Sequence, residues 1–336
     1  MGCPRRCLFC NQHALAGDEA QPPTAAAVRG QLAHWLALPR RGGRQVELAF
    51  YGGSFTGLPR ALQHELLAAV APELAAGTVA AIRLSARPDQ LEAEHAAWLV
   101  RQGVAVVELG VQSLDREVLR RSGRGYGPER VTQAVQDVRR AGLRVGCHLM
   151  VGLPGENTVR LVAGARALAA LIPDFVRIHP ALVLSGTGLA RLLERGDYRP
   201  LTLVQAIARV GRLKKIFDLS AIPVLRMGLQ ATTALEASLL AGPYHPAFGE
   251  LVLARLMFQQ LRQQLRRVDG GALVRLAVNP RDLSQVRGPG RVNLIRLETL
   301  GLATRLRLVP DSSQPRHHLR RLDPIPLNPD CDHAEY

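Results

Sequence analysis

The sequence predicts an α/β fold: a partial parallel β/α barrel followed by a smaller mixed α/β region. Strand-like and helix-like patterns alternate from Val46 to Pro180 with short links, and such alternation means parallel strands. Polar residues also recur at period two along those strands: Glu47, Arg83 with Ser85, Glu108 with Gln112, His148, and Arg177 with His179. An open sheet covered on both faces should read as nearly continuous apolar runs. A barrel with a reaction chamber tolerates polar residues inside, with its site at the C-terminal ends of the strands. Finally, 336 residues at 47% hydrophobic are enough for a barrel and a smaller companion.

The elements follow in order. Strands are expected at Val46–Tyr51, Val79–Ser85, Val104–Gly110, Arg144–Val151 and Phe175–Leu182, from β-branched runs bounded by glycine or proline. Helical periodicity marks Pro59–Ala71, Pro88–Arg101, Pro128–Ala141 and Thr158–Leu171 between them. The pattern then changes, which places a boundary near residues 183–190 and divides the chain into 1–185 and 186–336. Beyond it, Leu201–Phe217 reads as a long helix, Ile222–Met227 as a short strand and Pro246–Arg267 as a strong helix. Small Arg-rich β-like segments follow, and the last dozen residues are expected to be disordered.

Net charge is +15, and Lys214 and Lys215 are the only lysines among 43 basic residues. The excess is concentrated: Arg255 to Arg321 holds fourteen arginines against Asp269, Asp282, Glu298 and Asp311. Such a balance suits a polyanion partner, nucleic acid first, with a generally basic surface as an equal alternative. Phe258 is the one aromatic in that stretch, so phosphate contact is supported and base stacking is not. No run of about 18 uncharged apolar residues occurs, so no membrane helix is expected. With no apolar export segment visible, the five cysteines are expected to be reduced, in the cytoplasm.

Three of those cysteines, Cys3, Cys7 and Cys10, form Cys-x3-Cys-x2-Cys with Phe9 before the last. Three thiolates can hold three irons of a 4Fe–4S cluster and leave the fourth iron open to a small molecule. On spacing alone a structural zinc site with His13 as fourth ligand remains an alternative. Cys147 and Cys331 are left over. Tyr51-Gly52-Gly53-Ser54-Phe55-Thr56-Gly57 follows the first strand, and its glycines let a ligand approach the backbone closely. It lacks the Gly-Lys-Ser/Thr of a P-loop.

Together the cysteine motif and the Gly-Gly-Ser-Phe turn resemble the radical S-adenosylmethionine (radical SAM) enzymes. The resemblance implies a (β/α)6-type barrel, a 4Fe–4S cluster on Cys3, Cys7 and Cys10, and S-adenosylmethionine on the open iron. It implies that Gly52, Gly53 and Ser54 meet the ligand's amino group. Gln112, in Glu108-Leu109-Gly110-Val111-Gln112-Ser113, falls where relatives contact the ribose or methionine part. Arg124 falls where an arginine meets the carboxylate, a suitable pairing for a guanidinium. Val151-Gly152-Leu153-Pro154-Gly155 matches the segment that packs on adenine, placing Val151 and Leu153 there, and His148 within reach of the ribose or, alternatively, in the core. Glu108, His148, Arg177 and His179 are the candidate catalytic residues. Tyr51 and Tyr244 are candidate hydrogen-atom relays, with ordinary packing as the alternative.

Within that superfamily the chain looks closest to the Elongator catalytic-subunit-like (Elp3-like) branch, on Ser85-Ala86-Arg87-Pro88-Asp89, Gly110–Ser113, Pro180–Thr187, Gly228-Leu229-Gln230 and Gly242-Pro243-Tyr244-His245-Pro246. This branch implies transfer RNA or another RNA as substrate and an electron donor such as flavodoxin or ferredoxin. A coproporphyrinogen oxidase-like enzyme on a small molecule and a non-catalytic nucleic-acid-binding protein with a metal site are the alternatives. Three features depart from the branch. No acetyl-CoA-binding pattern is visible after residue 250. Ser85 stands where relatives often carry a ribose-binding glutamate. Met1-Gly2-Cys3 leaves no room for the usual first strand, so that strand is expected to be truncated and restored by an upstream in-frame extension.

Overall fold

The computed structural model describes residues 2, 3, 6–11, 22–39, 45–266, 272–322, 325 and 326. His13 and Cys331 lie outside them, as do all but Ile325 and Pro326 of the last dozen residues. The chain forms two compact units, Met1–Pro246 and Ala247–Tyr336.

The first unit opens with helix α1 (Ala25–Ala37), which the sequence reading did not include. Thr24 caps it and its buried contribution is Val28 and Leu32, too narrow a stripe to show as periodicity. Then come β1 (Glu47–Phe50), α2 (Arg60–Ala68), α3 (Ala71–Ala75), β2 (Ala81–Ala86), α4 (Ala93–Arg101) and β3 (Val104–Gln112). After α5 (Arg116–Arg121) and α6 (Pro128–Arg140) follow β4 (Arg144–Val151), α7 (Thr158–Ala170) and β5 (Phe175–Pro180). The unit continues through β6 (Val183–Leu184), α8 (Gly188–Glu194), α9 (Leu203–Leu219), β7 (Val224–Met227), α10 (Thr233–Ser238) and β8 (Leu239–Ala241).

Strands β1-β2-β3-β4-β5-β7 form one six-stranded sheet, parallel throughout. This is the expected curled β/α half-barrel with helices outside it. Helix α6 shows how each helix closes on the sheet: Val131, Ala134, Val135 and Val138 are fully buried at helical spacing. Helix α9 begins with a complete capping box between Thr202 and Gln205.

Three expectations need correction. Pro88–Arg101 is not one helix. A short 3-10 turn, Pro88–Gln90, gives way to extended backbone at Leu91, whose side chain is fully buried, and α4 starts only at Ala93. Phe175–Leu182 is not one strand: β5 stops at Pro180, and Val183–Leu184 pairs instead with β8 in an antiparallel ribbon. The compact first unit also runs to Pro246, well past 185, because β7 pairs along β5 as the sixth parallel strand.

The second unit contains α11 (Phe248–Arg266), β9 (Ala272–Val278), α12 (Leu283–Arg287), α13 (Val292–Thr299), β10 (Leu306–Pro310), β11 (Leu319–Arg321) and β12 (Ile325–Pro326). Its mixed sheet has β9 at the centre, parallel to β10 and antiparallel to β11 and β12. One sheet face packs Val274, Leu276 and Val278 against Met257, Leu261 and Leu265 of α11. Among the described residues no helix is long and apolar enough to cross a membrane.

Candidate active site

The cysteine loop is laced to the barrel by its main chain. Leu8 N–H donates to the Ser122 carbonyl at 3.1 Å, and the Leu8 carbonyl accepts from Leu189 N–H at 2.8 Å. Cys10 N–H closes a turn onto the Cys7 carbonyl at 3.1 Å. Phe9 packs against Leu153 and Ala181 on one side and Val183 and Leu189 on the other. The aromatic before the last cysteine is therefore an anchor beside the Gly152–Gly155 segment. Gly2 lies against the Ser54–Gly57 turn so tightly that a Cβ on Gly57 would overlap the Gly2 carbonyl. This contact brings the strand of chain leading to Cys3 onto the Gly-rich turn.

Cys3 is exposed, Cys10 half-buried and Cys7 buried. Around Cys7 the site is strongly cationic. Arg87 Nη1 reaches its sulfur at 3.3 Å and Arg124 Nη1 at 3.2 Å, and both arginines are almost fully buried. Arg87 is clamped by Asp89 through two 2.8 Å bonds and also donates to the Arg124 carbonyl. Arg124 is fixed by the Gly110 carbonyl and Tyr126. Two guanidiniums are thus aimed at one buried sulfur. Among the described residues no three His, Cys, Asp or Glu side chains are gathered closely enough to hold a metal ion. The donor set, three thiols on one short loop with cations at its buried member, nevertheless fits a 4Fe–4S cluster.

The sequence reading placed Arg124 near the ligand and missed Arg87 as its companion. The signal was present in Arg87-Pro88-Asp89: proline turns the chain at the end of β2 and the acid two residues on holds the guanidinium.

The Gly-rich turn is conformationally demanding. Gly52 and Gly53 have φ of 103° and 147°, which side chains with a Cβ rarely adopt. Ser85 Oγ donates to the Gly53 carbonyl at 2.6 Å and so braces this turn. Ser54 is buried and its Oγ accepts from Arg87 N–H at 3.0 Å, joining the turn to the arginine that meets Cys7. At the end of β3, Gln112 is a non-glycine residue at φ 68°, and its buried Oε1 has no hydrogen-bond partner. A strained residue with an orphaned acceptor marks a place where a ligand N–H or O–H would complete the hydrogen bonding. Val151 and Leu153 are buried at the end of β4. Tyr198 Oη donates to the Gly152 carbonyl at 2.6 Å, and Gly152 N–H donates to Glu156.

Inside the barrel, Arg83, His148 and Arg177 of the period-two polar residues converge on Glu108. Its fully buried carboxylate accepts from Tyr51 Oη at 2.5 Å and lies 2.6 Å from His148 Nε2. Arg83 Nη2 is 2.8 Å away and Arg177 Nε 2.9 Å. Burial pushes the Glu108 carboxyl up, but hydrogen bonds from His148 and Tyr51, with the charges of His148 and Arg177, outweigh it and hold it at about 2. Burial and then the bond to Glu108 push the Tyr51 phenol up.

His179 stands 5.4 Å from His148, ring to ring. Burial first, then the charge of His148, hold it down at about 3. Its Nδ1 faces the Gly228 carbonyl at 3.1 Å, which can only accept, so Nδ1 carries the proton and Nε2 is an acceptor. The structure thus gathers Glu108, His148, Arg177 and His179, with Tyr51 and Arg83, into one chamber. Tyr244 is elsewhere, packed with Leu182 and Leu235 and donating to Glu236 at 2.6 Å. Cys147 is buried in the core, where burial pushes its thiol up and makes it unreactive.

Residues 1–163 match the Radical SAM superfamily model, and residues 173–257 match the Radical_SAM C-terminal domain model. An uncharacterised protein of Methanocaldococcus jannaschii is 28% identical over 222 residues, 62% of this chain and 67% of its own. A tRNA uridine(34) acetyltransferase of Methanocaldococcus infernus is 33% identical over 139 residues. That match takes in 40% of this chain, which spans only 26% of the acetyltransferase. A solved structure of archaeal Methanocaldococcus infernus Elp3 with an N-terminal deletion superposes with a TM-score of 0.59 at 25% identity. It covers 70% of this chain and 59% of that one.

Proposed function

Because the chain belongs to the radical SAM superfamily, on its Elp3-like branch, we propose that it binds a 4Fe–4S cluster and S-adenosylmethionine and uses them to modify RNA. The observation that carries this reading is the buried Cys7 sulfur met by Arg87 and Arg124, with Arg87 itself bonded through its N–H to Ser54 of the Gly-rich turn.

Cys3, Cys7 and Cys10 would hold the cluster. When bound, the cluster and S-adenosylmethionine supply an electron and, from it, a 5′-deoxyadenosyl radical. The chain's own residues do the rest. Arg87 and Arg124 balance negative charge at Cys7. The Gly52-Gly53 turn would expose backbone to the ligand's amino end and Gln112 Oε1 would accept from the ligand, while Val151 and Leu153, buried at the end of β4, would support the segment facing its base. Glu108, held ionised by Tyr51, His148, Arg83 and Arg177, keeps the chamber floor rigid. His179 Nε2 offers a neutral acceptor to the substrate. RNA as substrate rests on the similarity to a tRNA uridine(34) acetyltransferase and on the arginine excess after residue 255. Flavodoxin or ferredoxin is the class of electron donor such a cluster requires.

The test is anaerobic reconstitution with iron and sulfide, then dithionite and S-adenosylmethionine, assayed for 5′-deoxyadenosine. Product that disappears in Cys3→Ala, Cys7→Ala and Cys10→Ala supports the proposal. Zinc bound in place of iron, with no product, overturns it.

A further inference from the structure

The second unit carries a feature that the barrel chemistry does not use. The apolar face of its sheet is covered by helices, and Leu306 and Leu319 face the same core from the flanking strands. Alternation then puts Arg275 of β9, Arg307 of β10 and Arg320 of β11 on the opposite face. In the register, Arg307 is the direct partner of Arg275, and Arg320 pairs with Ala277, two residues further along the same face. The three residues form a diagonal row across three adjacent strands, about 12 Å from end to end at the usual strand spacing and rise.

We propose that this arginine row is a docking surface for the phosphate backbone of folded RNA, an inference that rests on the RNA-modifying reading above. Like charges directly opposite on neighbouring strands destabilise a sheet. Arg275 and Arg307 stand in that relation with no acidic partner among the described residues. Two acids of this unit have partners other than Arg275 and Arg307. Asp282 is fully buried against Arg316 Nε at 2.6 Å and His317 N–H. Asp311 takes Arg320 at 3.2 Å, holding that side chain at the row's end while it stays 57% exposed. A polyanion supplies the missing counter-charge. Folded RNA is favoured over single strands because Phe248 and Phe258, the aromatics of this unit's described residues, are both buried. Phosphate contacts need no base readout, so binding is indifferent to sequence.

The experiment uses the full chain, a mixture of folded transfer RNAs as probe, and a salt series. Arg275→Ala with Arg307→Ala is compared with Arg281→Ala and Arg287→Ala, exposed arginines on the helical side that remove the same charge. The row variant should bind on the order of tenfold or more weakly near 0.1 M salt, and its log–log salt slope should fall by about two. The control should change less than about threefold. Its thermal midpoint without RNA should be unchanged or raised in the row variant, since repulsion is relieved. Equal losses in the two variants, a lowered midpoint in the row variant alone, or equally effective competition by polyglutamate would overturn the proposal. RNA binding that survives the row variant sinks this surface and leaves the enzymatic reading standing. Row-dependent binding without cluster-dependent 5′-deoxyadenosine does the reverse.

Discussion

Tyr51 Oη and Glu108 Oε1 lie 2.5 Å apart, joining the residue before the Gly52-Gly53 turn to the buried carboxylate at the centre of the barrel. The same carboxylate lies against His148, Arg83 and Arg177, so β2, β3, β4 and β5 converge on one charge. The residue leading into the Gly-rich turn is thereby hydrogen-bonded to the polar cluster inside the barrel.

Glu108 makes stability acid-sensitive. Its carboxyl is lowered from 4.5 to about 2, so its contribution is present above about pH 4.5 and lost as pH falls toward 2. The side chain is fully buried, and the window corresponds to about 3 kcal/mol. Glu108→Gln leaves Arg177 without its anion and Arg83 with Glu47 alone, and should cost about 3 kcal/mol at pH 7. It should also flatten the acid limb. Urea unfolding at several pH values between 2 and 7 checks both, and an unchanged acid limb would refute the assignment.

Tyr51→Phe removes one hydrogen bond to a charged acceptor, but Tyr51 is 52% exposed and water can replace it. The expected cost is about 1 kcal/mol, at the low end for such bonds. If the turn is coupled to the chamber as described, the same variant weakens S-adenosylmethionine binding, measured by titration of the reconstituted protein, while iron content stays constant.

Gln112 should show opposed effects on stability and binding. Its φ of 68° and its orphaned Oε1 are unfavourable in the unliganded chain. Gln112→Gly relieves both and should raise unliganded stability by about 1 kcal/mol. S-adenosylmethionine affinity should fall about tenfold, equivalent to one lost hydrogen bond of about 1.4 kcal/mol. Thermal unfolding without ligand and calorimetric titration with it separate the two. A variant that binds as well as the parent removes Gln112 from the ligand site.

Much of this arrangement was legible beforehand because it depends on periodicity and short-range spacing. Glu47, Arg83, Glu108, His148 and Arg177 showed at period two that the strands have a polar inner face, and the structure gathers Arg83, His148 and Arg177 with Tyr51 around the Glu108 carboxylate. What stayed hidden depends on long-range contacts. β7 reads as an isolated short strand until it pairs with β5 across forty intervening residues. Leu91 carries helical neighbours, yet its burial breaks the helix that Pro88–Arg101 suggested. Arg87 is one arginine among many in the sequence, and only the fold brings it to Cys7, eighty residues away.

Arg87 and Arg124 should tune the cluster as well as seat it. Each donates to the Cys7 sulfur from a buried position, and hydrogen bonds and charge at the sulfurs set cluster potentials. Arg124→Gln removes one positive charge, so adding an electron becomes harder and the potential moves to more negative values. Iron per chain should fall by no more than about half, since Arg87 remains, and 5′-deoxyadenosine formation should slow with it. Electron paramagnetic resonance during a redox titration reads the potential directly. A shift to positive values would contradict a cationic role for Arg124.

Glu156 gives the adenine-side segment the opposite pH dependence. Its side chain is 2% exposed, beside a cavity of about 290 Å³ lined also by Arg121, Tyr198 and Leu201. Oε1 accepts from Gly152 N–H at 2.9 Å and from Arg209 at 3.0 Å. Burial pushes the carboxyl up from 4.5 to about 7, outweighing those bonds and the Arg209 charge. A raised carboxyl binds its proton more tightly in the folded state. Its contribution is therefore full below about pH 4.5 and lost as pH rises through 7, by up to about 3 kcal/mol. Glu156→Gln keeps an acceptor for Gly152 N–H and cannot ionise, so it should be more stable than the parent near pH 8 and similar to it near pH 5. On the proposed placement of the Gly152–Gly155 segment beside the ligand's base, S-adenosylmethionine binding should lose its pH dependence over the same window in this variant. Parallel denaturation and binding curves between pH 5 and 8 test the linkage; a variant that retains the parent's slope in both places the titrating group elsewhere.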